Sequence, residues 1–229
     1  MQISAEQLAN LRRLAPEIIL CATGILVMVL DPFVGPLRQR ALGYLALAGA
    51  VAGFCSVRLV AIDQGLAYSG LIRADAFSVF VHMVVIGAAA IAILGSYQYL
   101  DDEGLQRGEY YALVLFATAG MGILAGANEL VTAFIGLEMS SISTYILAGF
   151  RRRALESNEA SLKYFILGSF ATAFFLYGIA MAYGATGTTR IDRIQAAFQV
   201  TPPGGLAILG LGLMFVGLGF KVVAAPFQI

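Results

Sequence analysis

The chain has 229 residues, of which 59% are apolar and 12% are charged. Average soluble domains have about 45–50% apolar and about 25% charged residues. Fourteen basic side chains balance fourteen acidic ones, so the formal net charge is zero. This composition excludes a disordered tail, a basic nucleic-acid-binding protein and a disulfide scaffold. It indicates an integral membrane protein, with the lipid bilayer as its surroundings and no nucleic acid as partner.

Seven apolar segments are long enough to cross a bilayer, whose hydrocarbon core of about 30 Å takes roughly 20 helical residues. The sequence therefore predicts an all-α, polytopic transmembrane helix bundle of about seven spans. Between the fourth and fifth spans only a tight turn remains, in which Asn128 is expected to cap the next helix and Glu129 to lie in its first turn. The predicted spans are residues 14–34, 41–62, 75–98, 110–127, 129–150, 161–184 and 204–229.

Nothing in the sequence predicts a cofactor, metal or nucleotide site. Cys21 and Cys55 each lie alone in an apolar segment, without the Cys or His spacing that zinc, iron–sulfur clusters or haem require. The run Gly120-x-Gly122-x-x-Ala125 imitates a dinucleotide-binding fingerprint, but no strand precedes it. Both cysteines are expected to be small packing residues.

Ionisable residues inside the spans are functional candidates, because each costs about 2.5–3.5 kcal/mol at the centre of a membrane helix. Glu138 is the clearest of them, since it lies near the middle of the fifth predicted span. Ser141 and Tyr145 follow it on the same helical face and could donate hydrogen bonds to its carboxylate or hold water. The alternative is a structural carboxylate that a neighbouring helix satisfies.

Two lysines, Lys163 and Lys221, also fall within predicted spans, and they are the only lysines in the chain. Pro226 should break the helix just after Lys221, which predicts a hydrated pathway there. Lys163 begins the sixth span. The alternative for both is that the side chain reaches out to the membrane surface. A desolvated lysine, unlike arginine, can exchange its proton near neutral pH.

His82 is a weaker candidate in the third span, because a lone membrane histidine is more often a hydrogen-bonded packing residue. Glu17 and Arg58 lie close to the ends of predicted helices and are expected to face the membrane interface. The three arginines 151–153 form the densest basic cluster, which predicts that their loop faces the cytoplasm.

Three motifs occur in a specific order and spacing. They are Gly136-Leu137-Glu138-Met139-Ser140, then Glu159-Ala160-Ser161-Leu162-Lys163-Tyr164-Phe165-x-x-Gly168-Ser169, then Gly217-x-Gly219-Phe220-Lys221-x-x-x-Ala225-Pro226-Phe227. Together they resemble the subunit N family of the bacterial proton-pumping NADH-quinone oxidoreductase, respiratory complex I. The wider antiporter-like group also includes Mrp-type cation/proton antiporters.

The resemblance implies a proton-translocating membrane-arm subunit of the bacterial inner membrane, with other membrane-arm subunits as partners. It implies no redox cofactor on this chain, because NAD, FMN, iron–sulfur clusters and quinone belong to other subunits. Glu138 matches the family's mid-membrane glutamate, Lys163 its sixth-helix lysine and Lys221 its lysine on a broken helix. Residues 1–109 would form a three-helix region, and residues 110–229 four spans of an incomplete first inverted repeat.

The end of the chain departs from the family pattern. The sequence stops at Gln228 and Ile229, inside a motif that continues to a tryptophan and a Pro-Asp pair in relatives, so we expect a C-terminally truncated chain. Gln228 stands where many relatives have histidine, and glutamine can order water but cannot exchange a proton. It is therefore a weak candidate for the proton path.

The mechanism that the motifs suggest is electrostatic coupling between Glu138 and Lys221, with Lys163 and ordered water passing charge onward. A charge or conformational signal from a neighbouring subunit would weaken the pair and release a proton from Lys221. Two alternatives remain open at this stage: a subunit of an Mrp-type cation/proton antiporter, and a non-conducting structural fragment.

Overall fold

The computed structural model of the chain describes residues 4–35, 39–222 and 224. Within these ranges the chain is mainly helical, as predicted. The helices are α1 Ala5–Arg13, α2 Ala15–Leu30, α3 Gln39–Ile62, α4 Ala76–Asp102, α5 Gly108–Gly126, α6 Leu130–Ala148, α7 Leu155–Thr186, α8 Ile191–Val200 and α9 Gly205–Lys221. Strands β1 Gly65–Ala67 and β2 Ile72–Ala74 form a short antiparallel hairpin, with Gly65 opposite Ala74.

Six of the described helices, α2 to α7, are long and apolar enough to cross a membrane, and α9 is a shorter apolar helix of 17 residues. The prediction of a polytopic transmembrane bundle with about seven spans is therefore confirmed. The sixth span is longer than expected, because α7 begins at Leu155 rather than near residue 161. Large apolar side chains cover the outer surface, among them Phe80, Ile91 and Phe170.

The larger hydrophobic core lies among α2, α3, α4 and α5. Its side chains are almost completely buried; they include Leu20, Val27, Ile93, Tyr111 and Leu115. Helix α5 is enclosed by other helices, because it contacts α2, α3 and α4 as well as α6. This packing fixes α5 as the support against which α6 lies.

Glycines allow two pairs of helices to approach at backbone distance. A Cβ at Gly120 of α5 would lie 2.6 Å from the Ser140 nitrogen, and one at Gly136 of α6 would lie 2.7 Å from the Leu124 nitrogen. In the same way, a Cβ at Gly178 of α7 would lie 2.5 Å from a carbonyl oxygen of α9. These close contacts hold α6 against α5 and α9 against α7.

One end of the bundle is closed by hydrogen bonds to backbone carbonyls among three connections. The Asn128 amide nitrogen donates to Leu71 at 2.9 Å, and Ile191 donates back to the Asn128 carbonyl at 3.0 Å. The Asn128 side chain donates to Gly70 at 2.9 Å. The Arg190 guanidinium donates to the Ser69 carbonyl at 2.9 Å. The hairpin, the α5–α6 turn and the α7–α8 turn are thereby joined.

The cap of α6 differs from the prediction. Glu129, not Asn128, is the N-cap residue, and its carboxylate accepts from the Thr132 backbone nitrogen at 2.6 Å. Asn128 instead uses its amide for the turn contacts described above. Burial raises the pKa of Glu129, but hydrogen bonds from Thr189, Thr132 and Val131 outweigh it, so the pKa lies below its ordinary value.

Candidate functional site

Glu138 lies in the middle of α6, and its carboxylate meets a hydroxyl from α7. The Thr172 hydroxyl oxygen is 2.9 Å from the Glu138 carboxylate oxygen and also 2.9 Å from the Gly168 carbonyl oxygen. A threonine hydroxyl has one proton but two acceptor lone pairs. It can therefore donate to Glu138 when the carboxylate is ionised, or accept from Glu138 and donate to Gly168 when the carboxyl is protonated.

Lys221, at the last position of α9, points toward α6. Its ammonium nitrogen donates to the Ser141 hydroxyl at 2.7 Å and to the Tyr145 hydroxyl at 2.5 Å. The same nitrogen lies 5.0 Å from the centre of the Tyr145 ring, a distance typical of a cation–π contact. Lys221 thus turns into the protein rather than out toward the membrane surface.

The two hydroxyls that contact Lys221 are those predicted to share a helical face with Glu138. Ser141 donates its own proton to the Leu137 carbonyl at 2.7 Å, so its oxygen is free to accept from the ammonium. Of the ion pairs in the described part of the chain, none joins Glu138 to Lys221. Glu138 bonds to Thr172 of α7, whereas Lys221 bonds to Ser141 and Tyr145, so the two charged groups lie along the same face of α6 with different partners.

Helix α7 sets the position of Tyr145. A Cβ at Gly168 would overlap the Tyr145 hydroxyl, so only glycine leaves room for it. The Tyr145 ring packs edge-to-face against Tyr164, with ring centres 4.6 Å apart. The Ser161 hydroxyl donates to the Tyr145 carbonyl at 2.8 Å. These contacts leave the buried tyrosine with its hydroxyl facing Lys221.

The other predicted site residues lie apart from this group. Lys163 contacts Glu159 at 2.5 Å on the surface of α7, and 67% of its side chain is exposed. Gln228 and Pro226 lie outside the described residues, so the predicted helix break and the weak candidacy of Gln228 stay predictions. Among the residues that the structure describes, no three His, Cys, Asp or Glu side chains converge to hold a metal ion.

His82 and Glu17 contact each other in the N-terminal part of the bundle. The distance from His82 Nε2 to the Glu17 carboxylate is 2.6 Å, and both residues are buried. The expectation that Glu17 faces the membrane interface is therefore wrong. It failed because α4 and α5 cover this turn of α2, which a position near a helix end does not reveal. Arg58, by contrast, is exposed.

Two buried residues that contact predicted site residues, Thr172 and Glu17, were not themselves among the predicted site residues. Threonine is common in membrane helices, so Thr172 carries no signal by itself; only the packing of α7 on α6 brings it to Glu138. Glu17 did offer a signal, because it lies inside the first predicted span, where a carboxylate needs a partner.

Comparisons with known proteins identify the class. Residues 127–229 match a family model described as "NADH:quinone oxidoreductase/Mrp antiporter, TM". A chain in the structure of respiratory complex I from Thermus thermophilus with bound aureothin has a similar fold, with a TM-score of 0.75. The two chains are 33% identical, and the match covers 93% of this chain and 45% of the complex I chain. An archaeal membrane-bound sulfane sulfur reductase shares the fold, with a TM-score of 0.78 over 97% of this chain and 46% of that one, at 24% identity. The matched region is thus an antiporter-like membrane segment.

Curated relatives narrow the assignment. The chain is 45% identical to NADH-quinone oxidoreductase subunit N 2 of Koribacter versatilis over 226 residues, 95% of this chain and 46% of that protein. It is 42% identical to subunit N of Trichlorobacter lovleyi over 236 residues, 100% of this chain and 48% of that protein. The resemblance predicted from the three motifs is confirmed: the chain is a homologue of the subunit N proteins. It spans about half the length of these relatives.

Proposed function

We propose that this chain is part of a proton-translocating membrane-arm subunit of NADH-quinone oxidoreductase. The observation that carries the proposal is the contact of the Lys221 ammonium with two α6 hydroxyls, Ser141 and Tyr145, on the helical face that also holds Glu138. A lysine and a glutamate inside apolar helices are costly, and their usual use is in a proton or ion path.

The hydroxyls suit proton transfer because each can both accept and donate. If Glu138 takes up a proton, Thr172 can turn its hydroxyl toward Gly168, as the two equal distances allow. The loss of negative charge on α6 would then favour release of a proton from Lys221, because the opposite charge stabilises an ammonium.

Lys163 belongs to the proposal as the group that passes charge onward. Its partner Glu159 lies one helical turn before it on the exposed surface of α7. The next residue, Tyr164, packs on Tyr145 and so links this surface to the Lys221 contacts. Lys163 would therefore exchange protons at the outer surface of α7, and ordered water would complete the path.

The partners follow from the same proposal. Other membrane-arm subunits would cover the exposed apolar faces, and the redox groups NAD, FMN, iron–sulfur clusters and quinone would reside on other subunits. A relative from Methanosarcina mazei, 36% identical over 94% of this chain, is named F(420)H(2) dehydrogenase subunit N. Because relatives with such different electron donors share this segment, the segment does not need to bind the donor. We place the chain in the bacterial inner membrane.

The proposal is tested by Glu138→Gln and Lys221→Ala in the intact oxidoreductase that contains this chain. A matched control is Glu156→Gln, because that carboxylate is exposed at the start of α7. We expect NADH-driven proton pumping by inverted membrane vesicles to fall in both site variants but not in the control, with unchanged amounts of assembled complex. Undiminished pumping in both site variants would contradict the proposal.

A second candidate is a subunit of an Mrp-type cation/proton antiporter, because the description of the matched family names both systems. The same vesicles distinguish the two. Proton movement driven by a sodium gradient without NADH favours the antiporter, whereas movement that requires NADH oxidation and not sodium favours the oxidoreductase.

A further inference from the structure

Glu17 of α2 and His82 of α4 form a buried ionisable pair that the Glu138–Lys221 site does not use. Glu17 is 5% exposed and His82 is 2% exposed. The His82 ring makes two short contacts: Nε2 lies 2.6 Å from a Glu17 carboxylate oxygen, and Nδ1 lies 2.5 Å from the Ser78 carbonyl oxygen. These two distances determine how many protons the pair holds.

The contact with Ser78 fixes one proton of the ring. A backbone carbonyl oxygen can only accept a hydrogen bond, so Nδ1 of His82 must carry a hydrogen. The other ring nitrogen faces Glu17, and two lone pairs do not face each other at 2.6 Å without a hydrogen between them. One proton must therefore lie between Nε2 and the carboxylate.

That shared proton leaves the pair neutral wherever it sits. On His82 it gives an imidazolium beside a carboxylate, and on Glu17 it gives a neutral ring beside a carboxylic acid. Its removal would leave a buried carboxylate whose second oxygen, Oε2, has no hydrogen-bond partner among the described residues. A buried, poorly solvated charge is costly, so the environment favours the state with one shared proton.

The surrounding helices enclose the pair. A Cβ at Gly122 of α5 would lie 2.9 Å from His82 Nε2 and 3.1 Å from the Glu17 oxygen, so the α5 backbone packs directly over the shared proton. The titratable side chain beside the pair is that of Cys21, one helical turn along α2 from Glu17.

We infer that Glu17 and His82 form a second proton-binding site, in the N-terminal helices, which holds one proton between carboxyl and imidazole. The ligand is a single proton and the site is formed by α2 and α4 under the cover of α5. The inference stands on the geometry of the pair and does not depend on the function proposed for Glu138 and Lys221.

His82 is the only histidine of the chain, so its ring can be observed alone. The experiment uses the chain labelled with ¹⁵N-histidine, purified on a tag that contains no histidine and reconstituted in phospholipid vesicles. Solid-state NMR then reads the protonation of Nδ1 and Nε2 from about pH 5 to about pH 8, the range in which a free imidazole titrates.

We expect a protonated Nδ1 and an Nε2 signal that is either protonated or strongly hydrogen-bonded, both unchanged over this range. Glu17→Gln should move the Nε2 signal to that of an unprotonated nitrogen while Nδ1 keeps its hydrogen. An unprotonated Nδ1 in the wild-type chain, or ordinary titration of the ring near pH 6.5, would overturn the inference. The wild-type measurement needs no variant, so it decides the question even where Glu17→Gln does not fold.

Discussion

Replacing Gly217 by alanine should push α9 away from α7, whereas replacing Gly212 of the same helix by alanine should not. A Cβ at Gly217 would lie 2.6 Å from the Phe175 Cβ and 2.8 Å from the Ala171 carbonyl oxygen, but a Cβ at Gly212 would meet no atom within 4 Å. Since carbon atoms pack best at about 3.5–4.0 Å, α9 must move by roughly 1 Å to accept the Gly217 substitution.

The two variants allow the packing term to be separated from the helix propensity of alanine. Both gain about 0.5–1 kcal/mol of helix stability when glycine is replaced. Only Gly217→Ala carries the cost of overpacking, about 1–3 kcal/mol. We therefore expect it to be less stable than Gly212→Ala by about 1–3 kcal/mol. Because Lys221 lies one turn beyond Gly217, the same shift should lengthen its contacts with α6.

The free energy of unfolding is measured by titrating SDS into mixed micelles. Circular dichroism is the appropriate signal, since the chain contains no tryptophan. Equal unfolding free energies for Gly217→Ala and Gly212→Ala would refute the conclusion that backbone contact between α7 and α9 positions Lys221.

Three further substitutions probe the site and its supports. Thr172→Val removes the hydroxyl bonded to the Glu138 carboxylate and should cost about 1–3 kcal/mol of unfolding free energy. In a double-mutant cycle, replacing Glu138 by leucine as well should recover part of this loss. Full additivity of the two substitutions would argue against the contact. Gly168→Ala should displace the hydroxyl of Tyr145 and cost about 1–3 kcal/mol, whereas the control Gly184→Ala meets only a side-chain carbon at 3.6 Å; similar SDS unfolding of the two would contradict this. The pKa of Glu129 is lowered in the folded chain, so its stabilising contribution is present above about pH 4.5 and is lost as the pH falls below that value; the stability difference between wild type and Glu129→Gln should shrink in acid, and a constant difference would be inconsistent with the lowered pKa.

The sequence predicted the helices of the bundle because long apolar segments have one stable form in a membrane, in which each backbone group bonds within its own helix. It also singled out Glu138 and Lys221, since charge is rare in such segments. Ser141 and Tyr145 were expected beside Glu138 because residues three and seven positions apart share a helical face. What they contact, the Lys221 ammonium, depends on how α9 packs, and periodicity within one helix does not contain that information.

For the same reason, the sequence could not predict which helices pack against each other. Gly178 and Gly217 look like ordinary small residues until α9 is seen against α7. Glu17 was misjudged because its distance from the helix end was used in place of its partner, and the partner is 65 residues away on α4. The short helices α1 and α8 and the β-hairpin were not predicted, since each is brief and lies outside the apolar segments.

The two ends of the helix bundle differ in the kind of bond that closes them. Hydrogen bonds to backbone carbonyls join the connections around Asn128 and Arg190. At the other end a cleft of about 640 Å³ is bordered by the exposed ion pairs Arg151–Glu103 and Arg152–Glu109. Exposed ion pairs contribute little and weaken in salt. Salt should therefore weaken the contacts at the arginine end of the bundle more than the hydrogen bonds at the Asn128 end.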